Sequence, residues 1–139
     1  MMGLQASGKS TFFVQNFVHT HVRINLDMLK TRNRENILVQ ACIEGKTKFI
    51  IDNTNATRAD RTRYIEKVKA AGYKVIGYYM DTPVKDCVVR NTLRGDKVPP
   101  AAIHATNKRF ERPMLDEGFD QLFFVKQGPD GFESEEIIK

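Results

Sequence analysis

The hydrophobic positions change period along the chain, and the changes mark its elements. Between Ser10 and Val18, residues Phe12, Phe13, Phe17 and Val18 are spaced like the buried stripe of a helix. His21–Asn25 reads as a short strand that leaves at Leu26-Asp27. Asn33 to Glu44 predicts a helix with Ile37, Leu38, Ala41 and Cys42 on one face, stopped by Gly45. Phe49-Ile50-Ile51 is a short apolar strand ending in Asp52-Asn53-Thr54-Asn55. Ala59 to Ala71 predicts a helix that is very basic on its exposed face and closed by Gly72. Tyr73 to Met80 is a strand, Pro83 to Leu93 a helix rich in cations, and Gly95 to Pro100 a loop. A further helix follows over Pro100 to Arg112, and Phe119 to Val125 closes the sheet. From Lys126 onward Gly, Pro and Glu mix, which predicts an exposed tail that could end in a short helix or strand.

Strands that alternate with helices imply an α/β fold, a parallel sheet with helices on both faces. The expected organisation is one domain over residues 1–125 and a tail over 126–139. Ligands of such sheets bind beyond the carboxyl ends of the strands. That rule puts Gly3–Ser10, Asp27 and Asp52–Asn55 along one rim.

The first part of that rim carries a motif. Gly3-Leu4-Gln5-Ala6-Ser7-Gly8-Lys9-Ser10-Thr11 fits G-x-x-x-x-G-K-[ST], a phosphate-binding loop, so the expected fold is P-loop NTPase-like or kinase-like. Its glycines let successive N–H groups converge on a phosphate chain. Lys9 is expected at the β- and γ-phosphates of ATP, Ser10 on Mg²⁺, and the positive end of the following helix on the same anion. Such a loop normally follows a buried strand. Only Met1-Met2 precede Gly3, so the first strand is expected to be missing and the native chain to be longer.

Bulk composition adds little and excludes some classes. Hydrophobic content of 41% and charged content of 28% are ordinary for a globular domain. No apolar run approaches membrane-spanning length, so no membrane partner is expected. Cys42 and Cys87 sit in apolar surroundings and are expected as buried free thiols, which fits a cytoplasmic protein best. The net charge of +5 leans weakly towards polyanionic partners.

Two carboxylates end strands on the rim. Asp27 either orients an attacking hydroxyl and takes its proton, or caps the helix starting near Met28. Asp52 either holds Mg²⁺ or serves the turn Asp52-Asn53-Thr54-Asn55. Arg90 and Arg94 lie four apart on one helix face. They suit a mobile cationic element closing over a triphosphate, and equally a solvated face. Arg58, Arg61, Arg63, Lys67 and Lys69 could line a path for a phosphate backbone or simply face water.

Several stretches together resemble the 5′-hydroxyl polynucleotide kinases, including the kinase domain of the polynucleotide kinase–phosphatases. They are Gly3–Thr11, Ile24-Asn25-Leu26-Asp27, Ile51–Asn55 with Arg61–Tyr64 and Ala70-Ala71-Gly72, and Arg90-Asn91 through Arg94. Arg109–Pro113 with Glu117-Gly118-Phe119 is similar to the mammalian-type members. The resemblance implies transfer of the ATP γ-phosphate to a nucleic acid 5′-OH end. It implies Gly3, Gln5–Thr11 and Arg90 on the nucleotide, with Lys9, Asp27 and Arg94 catalytic. It implies Lys30, Asp52, Asn53, Thr54 and Asn55 on the acceptor side, with Asp27, and Ser10 and Asp52 on Mg²⁺. The chain differs from the family at Leu26, where an arginine is common, and at Lys30, where some members place an arginine. Two other readings share the loop: a kinase for a small metabolite or nucleotide, and a nucleotide-binding module without transfer activity.

Overall fold

The computed structural model describes residues 1–95 and 97–139. In chain order the elements are α1 (Lys9–Asn16), β1 (Val22–Ile24), α2 (Leu26–Leu29), α3 (Arg32–Glu44), β2 (Phe49–Ile51), α4 (Arg58–Ala70), β3 (Ile76–Met80), α5 (Val84–Thr92), α6 (Pro100–Arg109), a 3₁₀ turn at Leu115–Glu117, β4 (Gln121–Gly128) and β5 (Gly131–Glu136). Their starts follow from local chemistry. The Thr31 side chain accepts from Arg34 N–H at the head of α3. Thr57 and Asp60 form a reciprocal capping box on α4. Pro100 opens α6, where a missing N–H costs nothing.

β1 pairs in parallel with β2, and β3 with β4. Met1 and Met2 lie between these pairs. The Met1 amino group donates to Ile51 C=O, and Met2 bridges Tyr79 in parallel. The order across the molecule is therefore β1, β2, Met1-Met2, β3, β4, β5.

Side-chain alternation along each strand assigns the two faces. Ile50, Tyr78, Met80 and Val125 pack with Phe12 and Phe13 of α1. Ile24, Phe49 and Ile51 pack against Val39 and Cys42 of α3. Tyr79, opposite to Tyr78, stacks on Phe110 at the end of α6. Helices thus cover both faces, as the alternating pattern predicted. Burying an aromatic side chain such as Phe12 or Phe13 stabilises by about 1.5–3 kcal/mol, which fixes α1 behind the loop it follows.

Three details depart from the sequence expectations. On α3 the inward residues are Glu35, Val39 and Cys42, while Ile37 and Ala41 are exposed. The buried stripe is Leu38, Val39, Cys42 and Ile43 with Glu35 at its head, one position round from the expected face, and it packs on Ile24, Phe49 and Ile51. Arg61, counted among the basic residues of α4, is 3% exposed and faces inward. The residues from Lys126 onward lengthen β4 and then return as β5, antiparallel to it. Gly131 sits at φ 116° in the turn, a conformation open to glycine. Most of β5 is exposed, so this segment is both a surface element and a strand.

Candidate functional site

The carboxyl ends of the strands meet at one rim. Gly3 N–H donates to Thr54 C=O, which ties the coil Gly3–Gly8 to the end of β2. Thr82, just past β3, donates its hydroxyl to Ser7 C=O. Gly3 and Gly8 have φ of 152° and 104°. A Cβ on Gly3 would meet Ser7 Oγ at 2.7 Å, and one on Gly8 would meet the Phe132 ring at 3.3 Å. Gly3 is therefore required by conformation and by space, and Gly8 by conformation. Ala6 also adopts positive φ, at 62°. The head of α1 carries no side-chain cap, which leaves its first N–H groups without a capping acceptor.

Lys9 folds over this coil and donates to the carbonyls of Gly3 and Leu4 at 3.0 and 2.9 Å. Burial of its ammonium lowers its pKa from 10.5 to about 8, against the opposing pull of Asp52. Asp27 also acts on Lys9 to raise that value and Arg94 to lower it. The fields of Asp52, Asp27 and Arg94 thus converge on one ammonium. Gln5 reaches Thr106 of α6 with its amide nitrogen, and Thr11 is exposed on α1.

Asp52 is 1% exposed. Its Oδ2 accepts from Arg23 Nε at 2.8 Å, and the same guanidinium reaches Ser10 Oγ at 3.2 Å. Among the described residues Asp52 Oδ1 has no donor. An orphaned buried carboxylate oxygen, on the aspartate that Arg23 links to the Ser10 hydroxyl, fits a small hard cation such as Mg²⁺. That ion takes one or two protein oxygens and completes its shell with phosphate and water. Ser7 Oγ, buried and also without a partner, adds a polar atom inside the coil. The coil and this pair of oxygens accordingly fit a Mg²⁺-bound triphosphate.

Asp27 is exposed on the four-residue α2, directly beyond β1. It does not cap that helix. Asn25 does, accepting from Met28 N–H at 3.0 Å. Lys30 ends α2 at φ 75° with an exposed side chain.

The turn after β2 is knitted into the protein. Asn53 Oδ1 accepts from Leu26 N–H, and its Nδ2 donates to Glu35 and, more weakly, to Tyr64. Thr54 gives its carbonyl to Gly3, and buried Asn55 donates to Met1 C=O. Tyr64 donates to Glu35, and burial with that hydrogen bond pushes its pKa up to about 12. It stays a protonated donor at any ordinary pH.

Arg90 lies on α5 and Arg94 two residues past its end, both half-buried. Among the described residues neither takes part in an ion pair. Buried Asn91 between them binds both the C=O and the N–H of Val98, closing the loop that holds Arg94.

Sequence reading did not single out Arg23, Glu35 or Phe132. Neither of the first two carries a local signal: Arg23 is one cation in a short strand, and Glu35 one of several polar residues at the start of α3. Nothing local pointed to Phe132, which meets Gly8 only through the fold.

A phosphate-loop coil at the carboxyl edge of a parallel sheet, with a helix running from it, defines a P-loop α/β domain. Residues 28–113, more than half of the chain, match the family described as an AAA domain, and the chain belongs to that family. It is 30% identical over 132 residues to the "Putative bifunctional polynucleotide phosphatase/kinase" of Acanthamoeba polyphaga mimivirus. That alignment covers 88% of this chain and 31% of the viral protein. It is 27% identical to the bifunctional polynucleotide phosphatase/kinase of Schizosaccharomyces pombe, with the same two shares. It is 24% identical to the L-seryl-tRNA(Sec) kinase of Methanococcus maripaludis, over 86% of this chain and 54% of that protein. The chain thus spans about a third of the first two relatives. No helix among the described residues is long and apolar enough to cross a membrane.

Proposed function

We propose that this chain is a kinase domain that moves the γ-phosphoryl group of ATP to the 5′-hydroxyl end of a polynucleotide, with Mg²⁺ as cofactor. The observation that carries the reading is Asp27. It is a carboxylate released from capping, at the carboxyl end of β1, whose field reaches the phosphate-loop lysine. Similarity to two proteins named as polynucleotide phosphatase/kinases supports the acceptor.

The proposed roles are as follows. The backbone of Gly3–Gly8 and the head of α1 bind the phosphate chain. Lys9 turns from its two carbonyls to the β- and γ-phosphates. Ser10 and Asp52 would hold Mg²⁺, which would supply positive charge against the developing charge on the phosphates. Asp27 accepts the proton of the 5′-hydroxyl while its oxygen bonds to the γ-phosphorus. The bond from that phosphorus to the β–γ bridging oxygen breaks, and ADP leaves. Arg90 and Arg94 face the charge spreading over the transferred group. Lys30, exposed at the end of α2, would supply a cation to the acceptor's phosphate.

The test is label transfer from γ-labelled ATP to 5′-OH DNA and RNA oligonucleotides. Asp27→Ala should abolish transfer and spare ATP binding. No transfer to either acceptor overturns the reading. Transfer-free ATP binding that is indifferent to Asp27 would instead indicate a binding module. Similarity to a kinase named for seryl-tRNA supports a second reading, a different hydroxyl acceptor. A 5′-OH oligonucleotide and a seryl-tRNA offered as alternative acceptors separate these readings, and salt separates either from a small acceptor, because only polynucleotide affinity falls steeply as salt rises.

A further inference from the structure

Glu35 is a fully buried carboxylate that the proposed transfer does not use. It is satisfied by three donors. Arg32 reaches Oε1 at 2.9 Å, Tyr64 reaches Oε1 at 2.8 Å, and Asn53 Nδ2 reaches Oε2 at 3.0 Å. An ionised carboxylate only accepts, so it dictates which end of the Asn53 amide faces it. The nitrogen must turn to Glu35, and the oxygen is then aimed at Leu26 N–H, 3.0 Å away. Leu26 is the first residue of α2, and the next residue is Asp27. A helix of four residues has no stability of its own, so its seat must come from outside. Asn25 supplies part of that seat by bonding Asp52 C=O and Met28 N–H. Arg34 holds the far end of α2 by donating to Leu29 C=O, and Leu29 packs against the Val39 and Cys42 cluster, while Asn53 holds its first residue.

Resting on the kinase reading above, we infer that Glu35 is a positioning residue that aims Asp27 by fixing the orientation of the Asn53 amide. The chain of contacts runs from Glu35 through Asn53 to Leu26 N–H. Its output is the place of the carboxylate that takes the hydroxyl proton. A shift of about 1 Å at such a group costs on the order of 10²-fold in rate.

Glu35→Gln keeps the shape and offers an N–H₂ where Asn53 needs an acceptor. The Asn53 amide must then flip or swing away, and a flipped amide puts a donor against Leu26 N–H. The expected result is a kcat lower by about 10-fold to 10²-fold with the KM for ATP unchanged. In an ¹⁵N-correlated spectrum the Leu26 amide should move. The decisive variant is the double change Glu35→Gln with Asn53→Asp. A carboxylate at 53 accepts from both the new glutamine and Leu26 N–H, so polarity is inverted and the link restored. The double variant should recover most of the lost kcat. A Glu35 that merely holds the fold predicts no such recovery. Asn53→Ala cuts the same link from the other side and serves if Glu35→Gln does not fold; it should lower kcat likewise. Unchanged kcat in the single variant that folds, or a double variant no better than Glu35→Gln, overturns the inference. Asp27→Asn run alongside separates the two levels. If it retains full transfer, the catalytic reading fails; if it abolishes transfer while Glu35→Gln does not lower it, only the inference fails.

Discussion

Helices α4 and α5 are both rich in cations in the sequence, and the fold treats them oppositely. On α4, Arg58 pairs with Asp116, Arg61 with Glu117 and Lys69 with Asp120, all acids of the single segment that follows α6. The Arg61–Glu117 pair is two-pronged, at 2.7 and 3.0 Å, and Arg61 also donates to the carbonyls of Asn55 and Ala56. Around α5, Arg90 and Arg94 have no such acid among the described residues, and Arg94 acts on Lys9. The lesson is that a count of positive charges says nothing about which are available. On α4 most of the charge is spent on holding the 115–120 segment; near α5 Arg90 and Arg94 carry no ion pair among the described residues, and the proposed kinase reading assigns them to the phosphates.

The comparison can be broken at several points. The largest effect is expected at Arg61. Arg61→Ala leaves Glu117 buried without its partner and should cost about 3–5 kcal/mol in urea unfolding, with loss of folded protein in the extreme. A loss under about 1 kcal/mol would mean that the α4 pair is not structural. Next is Arg94→Ala, which should lower kcat by about 10²-fold to 10³-fold and leave the unfolding midpoint in place. If it unfolds the protein instead, α5 and α4 do not differ in the way described. A smaller effect concerns pH. Lys9 has a folded-state pKa of about 8, below its ordinary 10.5, so the free protein loses this charge as pH rises through 8. Nucleotide affinity should be flat below about pH 7 and weaker by about tenfold at pH 9. The linkage to folding has the opposite sign: holding Lys9 charged in a buried place costs stability below pH 8, and that cost fades between 8 and 10.5. Removing Arg94 should shift the fall in affinity to higher pH, because its charge helps to depress Lys9. Changes on α4 should leave it alone. Smallest is Arg58→Ala, an exposed pair expected to change stability by at most about 1 kcal/mol and transfer not at all.

Much of the rim was legible because its parts are local. The glycines and Lys9 sit within seven residues, and Asp27 and Asp52 each end an apolar strand. What the sequence did not disclose were pairings across distance. Arg23 joins Asp52 and Ser10 only because β1 lies beside β2, and a lone arginine in a short strand carries no mark of that. Glu35 looked like one more polar residue on a surface helix, while Ile37 looked like core; the fold reverses the two. Glu35 shares its face with Leu38, Val39, Cys42 and Ile43, and what periodicity does not encode is that a carboxylate at the head of that stripe meets donors from Asn53 and Tyr64. Similarly, Arg61 was indistinguishable from its neighbours until Glu117 arrived from 56 positions downstream.

The closeness of Gly8 to Phe132 and Gln127 has a consequence for biogenesis. The coil leaves the ribosome more than a hundred residues ahead of the hairpin that braces it. Its other ties, from Gly3 to Thr54 and from Ser7 to Thr82, also wait for later segments. So long a wait puts the coil's closure late in folding, as contacts of high sequence separation are slow to form. The earliest-synthesised part of the rim would then be the last to set, and a nascent chain halted before β5 would carry a nucleotide motif that has not yet acquired its shape.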